Sequence, residues 1–358
     1  MVLREWARIG ITSFGGPPSQ VALLRDLCVE RREWMTAREF EDANAATQLL
    51  PGPGGTQLAI YCAQRVGGRA GGVLGGLAFM LPGLVIMLAI AAIALGESPP
   101  LWIRAVGAGA AAAVVAVVVQ AGVALGRTSV RGARAAAYLV IGAAAVVFLG
   151  PGVVAVLLAC GFAELGRRRL SVHAWPVIVA GAATLPALAW TALKVGALSY
   201  GGGFVIIPLM RADAVDTHHW MSGTEFANAV AYGQLTPGPV VHTVAMVGWA
   251  AAGFGGALLA SAIAFAPSFL VILILGDRFA ALRESGSARA FLDGAGPAAV
   301  GAILGAAVPL FDALEEWWQY GVLAVAALAL VLRRGPFWVL VGGAAFGLIA
   351  AALGAAVP

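Results

Sequence analysis

Two stretches, QLLPGPGGTQ at 48–57 and QLTPGPVVHT at 234–243, hold the groups in this chain best suited to binding chemistry. Proline removes a backbone donor and clashes inside a helix. Pro51-Gly52-Pro53 and Pro237-Gly238-Pro239 are therefore read as tips where one half-helix ends and another begins. A helix that begins there presents free N–H groups and about half a positive charge, which suits an anion. Gly54 and Gly55 let an anion approach the backbone, and Thr56 adds a hydroxyl; His242 and Thr243 stand at the corresponding place in the second stretch.

A second pair of interruptions, SFGGPPS at 13–19 and SYGGGF at 199–204, contributes Ser13, Gly15, Gly16, Ser199, Gly201 and Gly202. Four broken elements converging in this way would surround a small anion with dipoles rather than fixed charges. The fixed charges nearby are Arg8 and Lys194, each about one and a half turns before a glycine break. An unpartnered charge at membrane depth costs about 2.5–3.5 kcal/mol or more, so such a group should face a polar centre. Lys194, inside WTALKVGALSYGG with no nearby loop, is expected to do so; Arg8 either does the same or snorkels from the N-terminal flank. Gln48 and Gln234 read either as ligand-facing groups or as helix–helix glue. Glu39 and Glu225 read as helix-start carboxylates, with proton coupling as the alternative.

The elements that must position these residues are membrane helices. Of 358 residues, 61% are hydrophobic and 11% charged, and the mean hydropathy is +0.90, outside the range of soluble domains. Full-length spans are expected near 73–95, 101–125, 174–192, 255–276, 290–310 and 336–357, with shorter ones at 135–149, 152–166 and 317–332. Residues 36–50 with 54–66, and 222–236 with 239–251, are each too short to cross and read as re-entrant hairpins. No cleavable signal peptide is expected in MVLREWARIG, since it lacks a clean apolar region before a small-residue cleavage site. Cys28, Cys62 and Cys160 have neither metal-ligand nor redox spacing and the four histidines are scattered, so neither a metal nor another cofactor is expected. The net charge of +4 reflects loop arginines that set topology rather than nucleic acid binding.

The second half repeats the first. Residues 8–53 align with 194–239 without a gap and share 18 identities in 46 positions, including the polar Ser13/Ser199, Arg25/Arg211, Glu39/Glu225 and Gln48/Gln234. Loop arginines alternate in the opposite sense in the two halves. Arg25, Arg31, Arg32 and Arg38 face only Arg211, whereas Arg104 faces Arg278, Arg283 and Arg289. Arginines in short loops favour the cytoplasm, so residues 1–173 and 174–358 read as two repeats of inverted topology. That architecture is common among secondary transporters, whose sites lie near the midplane.

The motifs GITSFGGPPSQVALLRD and ERREWMTAREFEDANAATQLLPGP, repeated as GALSYGGGFVIIPLMR and EFANAVAYGQLTPGP, resemble the two-domain, long-chain form of the chromate ion transporter family over nearly the whole chain. The resemblance implies a multi-pass protein of the bacterial inner membrane that exports chromate and confers chromate resistance. The family's motifs fall on Phe14 to Pro17, Tyr200 to Gly203, Pro51 to Pro53 and Pro237 to Pro239; Gly203 stands where the first half has a proline, so the two half-sites need not contribute equally. The expectation is an all-α polytopic membrane protein of two inverted repeats with broken helices. It has roughly nine spans and works by alternating access around a central oxyanion site. Sulfate or another tetrahedral dianion is an alternative substrate, and a passive anion channel an alternative mechanism. A membrane enzyme is disfavoured by the lack of a nucleophile–base–acid set. Beyond substrate and bilayer, a homodimer is the one partner considered, with the small-residue face Gly71 to Gly76 as an example of a packing surface.

Overall fold

The computed structural model describes residues 1–47, 50, 52–168, 184–199, 203–275 and 286–358, and among these residues all regular secondary structure is helical. Among the described residues, five stretches are long and apolar enough to cross a bilayer: Gly54–Ala94, Leu101–Ser129, Ala133–Arg167, Val240–Ile274 and Arg289–Asp312. The chain is a multi-pass helical membrane protein. Of the expected span at 174–192, residues 174–183 lie outside the described set; the rest belongs to helix Thr184–Leu198.

The first part of the chain runs α1 (Val2–Thr12), α2 (Pro17–Arg25), α3 (Ala37–Thr47), α4 (Gly54–Ala94), α5 (Leu101–Ser129), α6 (Ala133–Leu149) and α7 (Val153–Arg167). The second runs α8 (Thr184–Leu198), α9 (Ile206–Arg211), α10 (Gly223–Leu235), α11 (Thr243–Leu275), α12 (Gly286–Gly305), α13 (Ala307–Asp312), α14 (Trp317–Val331) and α15 (Pro336–Ala352). The short apolar pair expected around Gly150-Pro151 is α6 and α7, joined by a single tight turn at Gly150–Gly152.

As one straight rod, the 41 residues of α4 would extend about 60 Å, twice the hydrocarbon thickness. They do not. Helical geometry fails at Gly67 (φ −131°, ψ 21°) and Gly68 (φ 63°, ψ −164°), and the chain turns back there. A Cβ added to Gly75 would collide with Ala63 Cβ, a residue that would be about 18 Å away along an unbroken helix. α11 breaks in the same way at Ala252 (φ −154°, ψ 31°) and Gly253 (φ 62°, ψ −155°), bringing Gly248 against the backbone of Gly256. Only the second residue of each break lies where a side chain is forbidden, which is why alanine serves at 252 but glycine stands at both 68 and 253.

Other backbone details recur at a spacing of 186. π-Helical turns occupy Asp26–Arg31 and Ala212–Thr217, and positive φ occurs at the non-glycine residues Glu33 (50°) and His219 (51°). The N–H groups of Trp34 and Trp220 donate to Cys28 O and Ala214 O, each at 2.8 Å. Reciprocal capping pairs start α3 (Thr36 with Glu39) and α10 (Ser222 with Glu225), which accounts for both carboxylates. Hydrogen bonds from the Thr36 backbone and hydroxyl hold Glu39 below the ordinary carboxylate range.

The two parts interlock. α4 packs on α11, α5 packs on α14 and α15, and α12 packs on α6 and α7. Glycines allow backbone-to-backbone approach at these crossings: a Cβ at Gly142 of α6 would strike Ala298 O of α12, and one at Gly347 of α15 would strike Ala105 O of α5. Buried side chains add polar ties, Tyr232 Oη donating to Ile103 O at 2.7 Å and Gln319 Nε2 to Ala108 O at 3.0 Å. The four glycines of the Gly71–Gly76 stretch pack inside the chain, against Ala63, Leu273, Trp6 and Phe269.

Gly67→Ala and Gly68→Ala separate backbone conformation from packing, because an added methyl has room at both positions. Gly67→Ala should melt within about 1 °C of the parent in detergent, whereas Gly68→Ala should lose about 1–3 kcal/mol, read as a lower melting temperature.

Candidate functional site

α1 ends at Thr12, and Ser13, which caps it, has φ and ψ (−82°, 68°) that already leave the helix. Gly15 (φ 89°) and Gly16 (φ 76°) turn the chain, and Pro17 and Pro18 open α2, where their missing donors are not needed. The break buries Ser13 with no hydrogen-bond partner for its hydroxyl among the described residues. Arg8 does not join it; its side chain is exposed.

The second tip seats directly on this break. α10 stops at Leu235, Gly238 takes φ 93°, and its N–H donates to Ser13 O at 3.2 Å. Gly238 O accepts from Gln20 Nε2 of α2 at 2.8 Å. Gln20 is 1% exposed, and its carboxamide oxygen occupies the space that a Cβ on Gly55 would take. One side chain thus bridges the second tip to the start of α4. Gly83 closes the same junction from the distal arm of α4, since a Cβ there would lie 2.5 Å from Pro237 O and 2.8 Å from the His242 ring.

After Pro239 the chain makes a single 3-10 turn, Val240–His242, before α11 begins, a departure from the helix start expected right after Pro239. Thr243 is not available to a ligand in the expected way: its hydroxyl donates to Val240 O at 2.9 Å and packs against Gly233. His242 is fully buried beside Phe265 (5.2 Å between ring centres), and neither ring nitrogen has a partner among the described residues. Gln234, 8% exposed, likewise has an unpartnered Nε2.

At the first tip, Gln48 and Pro51 lie outside the described residues. Gly52 has φ 123°, and a Cβ on it would lie 2.9 Å from Ser268 Oγ of α11, so each tip rests on the distal arm of the opposite long hairpin. Pro53 caps α4, Gly54 is its first residue, and Thr56 is fully buried with an unpartnered hydroxyl. In the second glycine break, Gly201 and Gly202 lie outside the described residues; Ser199 is buried with an unpartnered hydroxyl, and Gly203 (φ 87°) approaches Val240.

Lys194 is the largest departure from expectation. Its ammonium is bound to Asp213 at 2.5 Å, with side chains 11% and 7% exposed, and Thr191 Oγ1 donates to the same carboxylate oxygen at 2.6 Å. The charge is neutralised by a partner instead of standing ready for an anion. Asp213 aligns with Leu27 and Gln20 with Ile206, so a comparison of the two halves passes over both residues.

These contacts bring together neutral polar groups, namely backbone amides, hydroxyls, the Gln20 carboxamide and one imidazole, several of them without a hydrogen-bond partner among the described residues. No cluster of metal-ligating side chains occurs among the described residues.

A model of the chromate transporter family matches residues 1–165 and again 186–348. The chain belongs to the chromate transporter family. This is a family of transporters, not of enzymes. It is 30% identical to a chromate transport protein of Cupriavidus metallidurans over 96% of this chain and 91% of that one. It is also 30% identical to one of Pseudomonas aeruginosa, over 87% and 81% of the two chains. An uncharacterized transporter of the archaeon Methanocaldococcus jannaschii is 26% identical over 76% of this chain and 74% of its own. No solved structure matches the chain significantly.

The ion pair generates a test of Lys194 that separates structure from ligand binding. Lys194→Ala alone leaves Asp213 buried and unpaired and should cost about 3–5 kcal/mol, seen as reduced folded yield and melting temperature. The double variant Lys194→Met, Asp213→Leu should recover most of that loss, and transport by the recovered protein then reports whether the charge itself matters.

Proposed function

We propose that this chain exports chromate, or a closely related tetrahedral dianion, across the bacterial inner membrane and thereby confers chromate resistance. Transport runs by alternating access about the junction of the broken helices. The observation that carries the reading is the junction itself: Ser13, Gln20, the start of α4 and the Gly238 tip are tied together and edged by unpartnered buried donors at Ser13, Thr56 and His242. Such groups replace the hydration of an oxyanion with preorganised dipoles. The chromate transport proteins of Cupriavidus and Pseudomonas support chromate as the substrate to test first.

Two inverted repeats, 1–173 and 174–358, complete the mechanism. The reading is supported by the family model matching twice, by the backbone features recurring at a spacing of 186, and by the opposite loop-arginine pattern. Rocking of one repeat against the other would open the junction to each side in turn. Export also follows the membrane field. An inside-negative potential drives a dianion outward by about 4.6 kcal/mol per 100 mV, more than a thousandfold in concentration, so no coupling ion is required.

The deciding measurement is chromate flux in proteoliposomes under an imposed potential, with sulfate as competitor. Saturable, potential-driven flux with counter-transport is expected, and non-saturating flux would mean a channel. Preference for sulfate would reassign the substrate and leave the carrier standing. Gln20→Leu should cut flux about tenfold through loss of one buried hydrogen bond while preserving folded protein; unchanged flux would remove the Gln20 bridge from the mechanism. For topology, the native cysteines are buried. Cysteines introduced at the exposed positions Arg31→Cys and Thr217→Cys should label from the cytoplasm and the periplasm respectively, and labelling from one side only would end the inverted arrangement.

A further inference from the structure

Away from the junction, a cavity of about 520 Å³ opens where the C-terminal ends of α5 and α7 meet the N-terminal ends of α6 and α12. Four membrane segments terminate there, Leu101–Ser129, both arms of Ala133–Arg167 and Arg289–Asp312, so the cavity lies at the bilayer surface. Its wall carries Arg131, Arg134, Arg168 and Arg289. Loops this rich in arginine face the cytoplasm.

The charges here do not balance. Glu164, 4% exposed, is shared by Arg134 (3.6 Å), Arg167 (2.6 Å) and Arg168 (3.4 Å), and also accepts from Tyr138 Oη at 3.3 Å. Arg168 reaches Asp293 at 2.7 Å as well. Five guanidiniums therefore surround two carboxylates, and Arg131 and Arg289 have no ion-pair partner among the described residues. Glu164 and Asp293 hold the inner arginines, leaving the outer two on the wall of the cavity without an acidic partner among the described residues.

We propose that this pocket binds a phosphate-ester anion at the cytoplasmic surface of the bilayer. The guanidinium fork matches phosphate oxygens in pairs, and the volume accommodates a headgroup larger than a bare tetrahedral ion. Two sources offer that chemistry: the headgroup of an anionic phospholipid in the cytoplasmic leaflet, and a soluble phosphate ester. The site shares no residue with the junction proposed to carry chromate, and its test reads binding rather than transport.

The test uses the full chain, stripped of lipid in a nonionic detergent. Phosphatidylglycerol, phosphatidylcholine and glycerol 3-phosphate are titrated separately, and bound ligand is read by native mass spectrometry alongside the melting temperature. Phosphatidylglycerol is expected to bind and raise the melting temperature, with phosphatidylcholine much weaker. The double variant Arg131→Ala, Arg289→Ala should weaken that binding about tenfold or more. Both side chains are unpaired, so their removal relieves repulsion and the variant should fold. Arg31→Ala with Arg38→Ala, which removes two arginines elsewhere, should bind as the parent does. Protection by glycerol 3-phosphate that the double variant loses would assign the soluble source. Equal binding of both probes by parent and double variant would overturn the proposal.

Discussion

Inside a bilayer no water is available to irregular backbone, so every turn at that depth must find partners within the protein. The rest of this architecture depends on that constraint. The Gly238 tip spends its N–H on Ser13 and its carbonyl on Gln20, so the second half cannot complete its break without the first. Gly83 leaves space for Pro237 and His242, and Ser268 meets Gly52 in the reciprocal position. Each tip is thus seated on the opposite half. A chain built this way cannot hold either half-site alone, and the interlocked packing of α5 with α15 and α12 with α6 follows the same logic on the outside.

Much of the frame was legible in the sequence because it rests on local rules. Length and hydropathy marked most of the spans, although the one expected over 336–357 is the shorter helix Pro336–Ala352; proline and glycine marked the breaks, and Glu39 and Glu225 announced helix starts. The reversals at Gly68 and Gly253 were implied by the shortness of 54–66 and 239–251, although the residues that enforce them were not picked out. What stayed hidden was pairwise and long-range. Gln20 finds Gly238 across 218 residues, and no spacing rule reveals such a contact. Asp213 lies 19 residues from Lys194 and becomes its partner only through the packing of α8 against α9, which leads straight into the π-helical turn that carries Asp213.

The unlike residues in the two halves carry separate information. Repetition draws attention to positions that agree, and it led to Lys194 through its alignment with Arg8. Those two residues have different fates: Arg8 is exposed, while Lys194 is held by a carboxylate that the first half lacks. A buried ion pair is poor evidence of stability, since desolvating both ions offsets most of their attraction. It does fix geometry. α8 is tied to the π-helical turn at Ala212–Thr217 by a charged contact, whereas the equivalent α1 is tied by Glu5 to Arg32, the residue just after its own π-helical turn, at 2.7 Å and nearer the surface.

That difference bears on how an anion could be held and released. A free lysine at the junction would bind a dianion by direct charge attraction, strong at low dielectric and slow to reverse. With Lys194 neutralised by Asp213, the groups gathered at the junction are dipoles: amides, hydroxyls, a carboxamide and an imidazole. Several such donors can match the hydration of an oxyanion closely enough to let it enter, without the deep well that would keep it from leaving. For the proposed export, the driving force would then be left to the membrane potential, which acts on the ion and not on the site. A neutral site suits a carrier that works down that field, because a strong fixed charge would slow release on the far side without adding to the gradient that the field can sustain.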